Sequence, residues 1–427
     1  MRFADPAKPG LAPGFVLLAV LGLWACARTP PPAPAVAVPT TMRYAEWLQS
    51  YDEALAATAP PKAPASAAER VRLLLERARL SGDYADYARA GELIAQGGGE
   101  SGFDCLPLAR WHYALHRLEA ASRALQRCVA ADPDERSAMQ ADIAFYSGRY
   151  REAEAVYREQ LNRLDHSQAY VRMALLRART GAPGEAMALF EAAEKRYHGD
   201  SAVMRAWLKL QRGLVALDQG RFDIAHALYL AAAEQLPGWW LVDEHLAEVQ
   251  VLLGDNASAR QAYQDIVRRT AAPEFMDALA PLEREQGHSD RAAELQVQAR
   301  KLYEQRMVGF PEAAAGHALD HFLGSPGDEA LALRMAQDNH RNRPYGEASI
   351  ALARALLLNG RAAEAASRLQ AELAAGWDTP ELHWVLAQAL AASGHKAPAD
   401  AARQRALTGN PQAAALYGAS DAELAAN

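Results

Sequence analysis

The chain has 427 residues, with 45 basic and 52 acidic side chains and a formal net charge of −7. Half of it is hydrophobic and 23% is charged, so it can bury a core along most of its length and is not disordered as a whole. The mild acidity leaves no concentrated basic face for nucleic acid. Abundant Ala, Leu, Arg and Glu, with few β-branched residues, argue for helix and against a β-sandwich or barrel.

Residues 1–25 read as an export signal. Arg2 and Lys8 make a positive start, tempered by Asp5, and Gly14 to Ala25 is an apolar run. That run is well short of the roughly 20 residues that span a bilayer as a helix. It ends in Leu23-Trp24-Ala25-Cys26, which resembles the bacterial lipobox, with Trp24 where a small residue is usual. The resemblance implies lipidation at Cys26. Ala27, in place of Asp, implies sorting to the outer membrane. An ordinary secretory signal is the alternative. Residues 26–41 carry Pro30, Pro31, Pro32, Pro34 and Pro39, and predict an extended tether between anchor and body. Residues 42–58 place Tyr44, Trp47, Leu48, Tyr51 and Leu55 at helical spacing, so an N-terminal helix is expected to dock on the body. Residues 59–67, opening APPKAPAS, read as a linker.

From residue 68 to 412 the sequence repeats itself. A Gly is followed two residues on by an aromatic, five on by Ala and nine on by a large side chain. Gly148, Tyr150, Ala153 and Tyr157 show this, as do Gly220, Phe222, Ala225 and Tyr229. Equivalent glycines stand at 82, 181, 254, 287, 324, 360 and 394, and His116 takes the place of one. Spacings run from 32 to 39 residues. The pattern resembles the tetratricopeptide repeat. It implies an all-α, right-handed solenoid of about ten antiparallel helix pairs, stacked because no pair can bury its apolar face alone. Gly is expected to end the first helix of each pair, Ala to let the helices approach, and Pro133, Pro237 and Pro411 to close the second helix. Longer loops are expected near Asp200–Arg205 and Ser325–Gly327. Residues 96–102 (QGGGESG) are expected as a flexible loop, and residues 413–427 as a short polar cap and tail.

Little in the chain points to chemistry. Gly97 to Gly102 fits GxGxxG but follows a helix instead of a strand, and no nucleophile–base motif appears. No catalytic residue and no cofactor are expected, and an enzyme built on a solenoid is the last of the alternatives. His317 and His321 share a helix face with Asp320 beside them, and with His340 they are the alternative metal-handling set. His112 and His116 have the same spacing, but His116 falls in a turn. Cys105 and Cys128 occupy facing positions of one helix pair and can form a disulfide after export. Trp239-Trp240 is either an aromatic anchor or core packing.

The resemblance implies a binding scaffold whose concave face is lined by the first helix of each pair. In this register that face holds Arg110, Tyr113, Asp142, Trp207, Glu244, Glu248, Asp277, Arg284, Arg354 and Trp384. Acidic residues in the middle and arginines towards the ends would suit an extended peptide with a basic centre. The expected function is an outer-membrane lipoprotein, facing the periplasm, that gathers envelope proteins. Its partner is a protein or peptide, it meets the membrane through its lipid, and its oligomeric state is open.

Overall fold

The computed structural model describes residues 43–58 and 64–418. The export signal, Cys26 and the Pro-rich tether lie outside the described residues, as does most of the 59–67 linker. After α1 (Tyr44–Ala57), ten antiparallel helix pairs follow. They are α2 (Pro64–Ser81) with α3 (Tyr84–Gln96); then, after the single turn α4 (Gly99–Gly102), α5 (Cys105–Ala114) with α6 (Leu118–Gln126); α7 (Pro133–Tyr146) with α8 (Tyr150–Arg163); and α9 (Ser167–Arg179) with α10 (Pro183–Arg196). Next come α11 (Ala202–Asp218) with α12 (Phe222–Gln235), α13 (Trp240–Leu252) with α14 (Asn256–Thr270), and α15 (Pro273–Glu285) with α16 (Ser289–Gly309). The last are α17 (Pro311–Leu323) with α18 (Glu329–Asn342), α19 (Gly346–Leu358) with α20 (Ala362–Ala375), and α21 (Pro380–Ala392) with α22 (Lys396–Gly409), closed by α23 (Ala413–Tyr417). Among the described residues the only β pairing is one isolated bridge, Thr180 to Asp378. No described helix is long and apolar enough to cross a membrane.

The repeat landmarks explain the pairs. In α8 the buried residues are Tyr150, Ala153, Tyr157 and Gln160, and in α12 Phe222, Ala225, Tyr229 and Ala232. Steps of three and four residues put each set on one stripe, which packs on the preceding helix. First helices are buried more widely. α11 buries residues around almost its whole circumference, because it is covered by its own partner and by both neighbouring pairs. Gly148, at φ +72°, turns the chain between α7 and α8. His116 does the same at φ +61°, so a residue with a Cβ holds the left-handed position.

Four expectations need correction. α2 begins at Pro64, inside the expected linker. In the eighth pair the left-handed residue is Gly327, at φ +91°, whereas Gly324 takes an ordinary helix-end conformation; the inserted residues move the turn downstream. Proline opens helices more than it closes them: Pro133, Pro183, Pro273, Pro311 and Pro380 sit in the first turn, where a missing N–H costs nothing. The segment after Pro411 is no polar cap in its described part, for Ala413, Leu416 and Tyr417 are buried.

The decisive feature is that the solenoid winds back onto itself. Arg117 pairs with Glu312 at 3.2 Å across 195 residues, nearly six repeats. Along the same seam the Tyr44 amide donates to Pro237 O (3.1 Å), Trp239 and Trp240 both donate through Nε1 to Leu80 O (3.3 and 3.0 Å), and the Asp378 amide donates to Arg179 O (2.9 Å). The turns between early helices therefore press on the later pairs. A Cβ on Gly148 would run into Pro344 O, so this Gly serves both the turn and the seam.

Candidate functional site

The seam has two unlike ends. At one end, rings fill it. Phe145, Tyr146 and Tyr150 of the early turn meet Tyr345 and Trp377 of the later one, with centroids 5.2 to 6.0 Å apart. Tyr150 Oη donates to Glu372 (2.5 Å) and accepts from the Gly346 amide (2.8 Å), and Ser349 donates to the other oxygen of Glu372 (2.6 Å). Arg179 lies between Asp218 and Glu347, 2.9 Å from each. Burial pushes the Asp218 carboxyl up to about 6, against the pull of Arg179. The remaining void is about 40 Å³.

The other end is hollow. A cavity of about 280 Å³ opens between α2, α3 and the His116 turn on one side and α13, α15, α16 and α17 on the other. Tyr84, Tyr87, Trp240 and Phe275 wall it with rings. Glu274 and Arg306 pair at 2.5 Å across one wall, and the Arg306 guanidinium covers the Tyr84 ring at 5.3 Å. Arg79 also lines it, and among the described residues no ion pair holds it. His116 is 2% exposed, with Nδ1 3.2 Å from Glu312 O and Nε2 lacking a hydrogen-bond partner. His317 faces it with ring centroids 6.4 Å apart. Burial, then Arg343 and Arg306, push His317 down to about 3, and burial and Arg343 do the same in direction for His116. Both imidazoles are neutral at pH 7. This volume exceeds the roughly 150 Å³ that holds benzene in an engineered protein cavity, and approaches that of small ligand sites. Rings and guanidinium together suit an apolar group that carries a negative charge.

The expected concave face is closed for most of its length. Tyr113, Asp142, Trp207, Glu244, Glu248 and Trp384 are buried. Asp142 accepts from Arg172 (3.0 Å) and Tyr157 (2.8 Å), Trp207 packs edge-on to Phe190, and Arg403 covers Trp384 at 4.9 Å. Arg110 pairs with Glu135, and Arg354 with Glu381 at 2.8 Å. Asp277 is held by His321 at 2.9 Å, while Arg284 reaches solvent and donates to Gln296 (3.1 Å). The face is closed by contacts within each pair and with the neighbouring pair, whose ion pairs and rings cover it.

The alternative metal set is dispersed. His321 binds Asp277, His317 faces His116, and His340 lies 3.2 Å from Ser349. Asp320 feels the charge of Arg354, although burial lifts its carboxyl to about 6. His112 is buried beside Trp111, with Glu100 3.4 Å away. The expected flexible loop contains the turn α4, and Gly97 to Gly102 faces no nucleotide fold. Trp239 and Trp240 are buried at the seam, so they join turns of the solenoid and do not merely fill the gap between successive pairs. Cys105 and Cys128 form a disulfide with Cα atoms 5.5 Å apart, strapping the two shortest helices of any pair. The closed loop is worth about 3 kcal/mol by chain entropy.

No protein-family model matches the chain, and no curated protein does. Solved structures similar to it are repeat proteins at low identity. The Cut9–Hcn1 hetero-tetramer of APC/C is 14% identical over 86% of this chain and 67% of that one, with a TM-score of 0.45. PilF of Pseudomonas aeruginosa is 17% identical over 47% of this chain and 90% of its own, at 0.39. Yeast Tom70 is 14% identical over 84% and 93%, at 0.32. With landmarks recurring near every 34 residues and ten antiparallel pairs built on them, the chain is made of tetratricopeptide-type repeats.

Proposed function

We propose that the protein is a scaffold for protein–protein interaction, and that partners engage it at the hollow end of the seam. The carrying observation is the cavity of about 280 Å³, with four aromatic walls and, among the described residues, no ion pair for Arg79 and no hydrogen bond for His116 Nε2. Its chemistry selects an apolar or aromatic side chain next to a carboxylate. This replaces the peptide with a basic centre that the sequence register suggested, because the acidic residues behind that idea are buried.

We place the scaffold at the outer membrane, facing the periplasm, where it gathers envelope proteins. The support is the sequence alone: the short apolar run, Cys26 with its lipobox-like approach, and the Pro-rich tether. The disulfide is in keeping with an oxidising compartment.

In-cell photo-crosslinking from position 87 tests the site, with captured proteins identified by mass spectrometry. A partner captured by the wild type should be lost in Arg79→Glu and kept in Arg291→Glu, on the outer face of α16. Equal capture by both variants rejects the cavity as the docking site. Cys26→Ser should move the body to the soluble periplasmic fraction; unchanged membrane partition rejects the lipid anchor.

A further inference from the structure

Glu244, His245 and Glu248 stand on one turn of α13 and are 2%, 2% and 7% exposed. His245 Nδ1 lies 3.2 Å from Glu244 Oε2 and 3.1 Å from Glu248 Oε2. Among the described residues, they are the one group of three His, Cys, Asp or Glu whose ligand atoms all lie within 4.8 Å of one another. Protons do not satisfy this cluster well. A single Nδ1–H points at one acceptor, and its hydrogen bond goes to Glu248. Glu244 Oε2 is close but has no hydrogen bond, although it is sealed from water. A buried carboxylate oxygen in that state is costly. Tyr229 stacks on the imidazole with centroids 5.5 Å apart, and its buried hydroxyl also lacks a partner.

We propose that Glu244, His245 and Glu248 form a binding site for one zinc-type divalent metal ion. Zinc bonds of about 2.0–2.2 Å to nitrogen and oxygen, at tetrahedral angles, put ligand atoms about 3.3–3.6 Å apart. The two separations from Nδ1, 3.2 and 3.1 Å, fall just short of that edge, so a small outward shift of the carboxylates admits the ion. The ion takes the place of the Nδ1 proton, binds the stranded Glu244 oxygen, and neutralises two buried carboxylates at once. Two carboxylates and one imidazole form a harder set than thiolates, and leave a fourth position for water. The Tyr229 hydroxyl is near enough to both carboxylates to feel their charge, and can accept a hydrogen bond from that water. All three protein ligands come from one helix turn, so the site forms with α13 itself. This inference is independent of the cavity proposed for partners.

The test uses the untagged full chain, expressed in zinc-supplemented medium and dialysed against a competing chelator. Metal content is read by plasma mass spectrometry. One zinc per chain is expected for the wild type and for His317→Gln, and at least a tenfold loss for His245→Gln and for Glu244→Gln with Glu248→Gln. Circular dichroism checks that each variant is folded. Cobalt-loaded wild type supplies a reading that needs no variant, the visible absorption of a four-coordinate ion, which zinc should displace. No retained metal and no such absorption in the wild type, or equal retention in folded His245→Gln, overturns the proposal.

Discussion

The two ends of the seam share one origin and have opposite fillings. In both, an early inter-helix turn meets later pairs nearly six repeats away. At the Tyr150 end, five rings and a satisfied carboxylate leave about 40 Å³. At the Tyr84 end the rings pack in pairs, Tyr84 on Tyr87 at 5.9 Å and Trp240 on Phe275 at 5.6 Å, and about 280 Å³ stays open beside them. Rewinding therefore does not by itself make a binding site. It makes a closed contact where rings from both turns interlock, and leaves a chamber where they do not.

The comparison can be broken most sharply with Trp377→Ala. This side chain is 1% exposed and touches Phe145, Tyr150 and Tyr345, so its loss should cost about 3–5 kcal/mol in urea unfolding followed by circular dichroism. A cost below about 1 kcal/mol would mean the filled end is not interlocked. Next is Tyr150→Phe, which strips buried Glu372 of one donor and the Gly346 amide of its acceptor. A loss of about 1.5–3 kcal/mol is expected in the same measurement.

The two ends should also answer pH with opposite signs. At the hollow end, free imidazole protonates near pH 6.5, while His317 is held down to about 3. Between those values the unfolded chain binds a proton that the folded chain refuses. Stability from this group is thus lost as pH falls, by at most about 1.4 kcal/mol per unit. At the filled end, Asp218 holds its proton up to about 6, against an ordinary value near 4. Between those values the folded chain binds the extra proton, so its contribution weakens as pH rises. Its side chain is 34% exposed, so this second effect is the smaller. Urea midpoints between about pH 4 and 7 should show a shallower acid loss in His317→Gln and a steeper one in Asp218→Asn. The same slope in both variants would show that neither end titrates in this way.

The smallest stability effect is expected from Ala313→Leu. Ala313 lines the cavity on α17, so the larger side chain has room. Stability should stay within about 1 kcal/mol of wild type. Capture of the crosslinked partner should nonetheless fail. A large loss of stability would show that the chamber is tighter than its volume implies.

The sequence by itself determined the units. Gly148, Tyr150, Ala153 and Tyr157 act within about ten residues of one another, and a turn, a close crossing and a space-filling ring are local requirements that recur at every pair. The same local logic placed Cys105 opposite Cys128. From the sequence, Glu244 and Glu248 read only as groove residues and His245 did not stand out, while the metal reading fell on His317, Asp320, His321 and His340. The shared burial of Glu244, His245 and Glu248 was not legible. The tertiary structure alone decided which faces remain open, because small rotations between successive pairs add up over nearly six repeats before the chain meets itself. No single spacing encodes that sum. It opened the Arg79 chamber that we propose as the site, and set Trp240 against Leu80 across 160 residues.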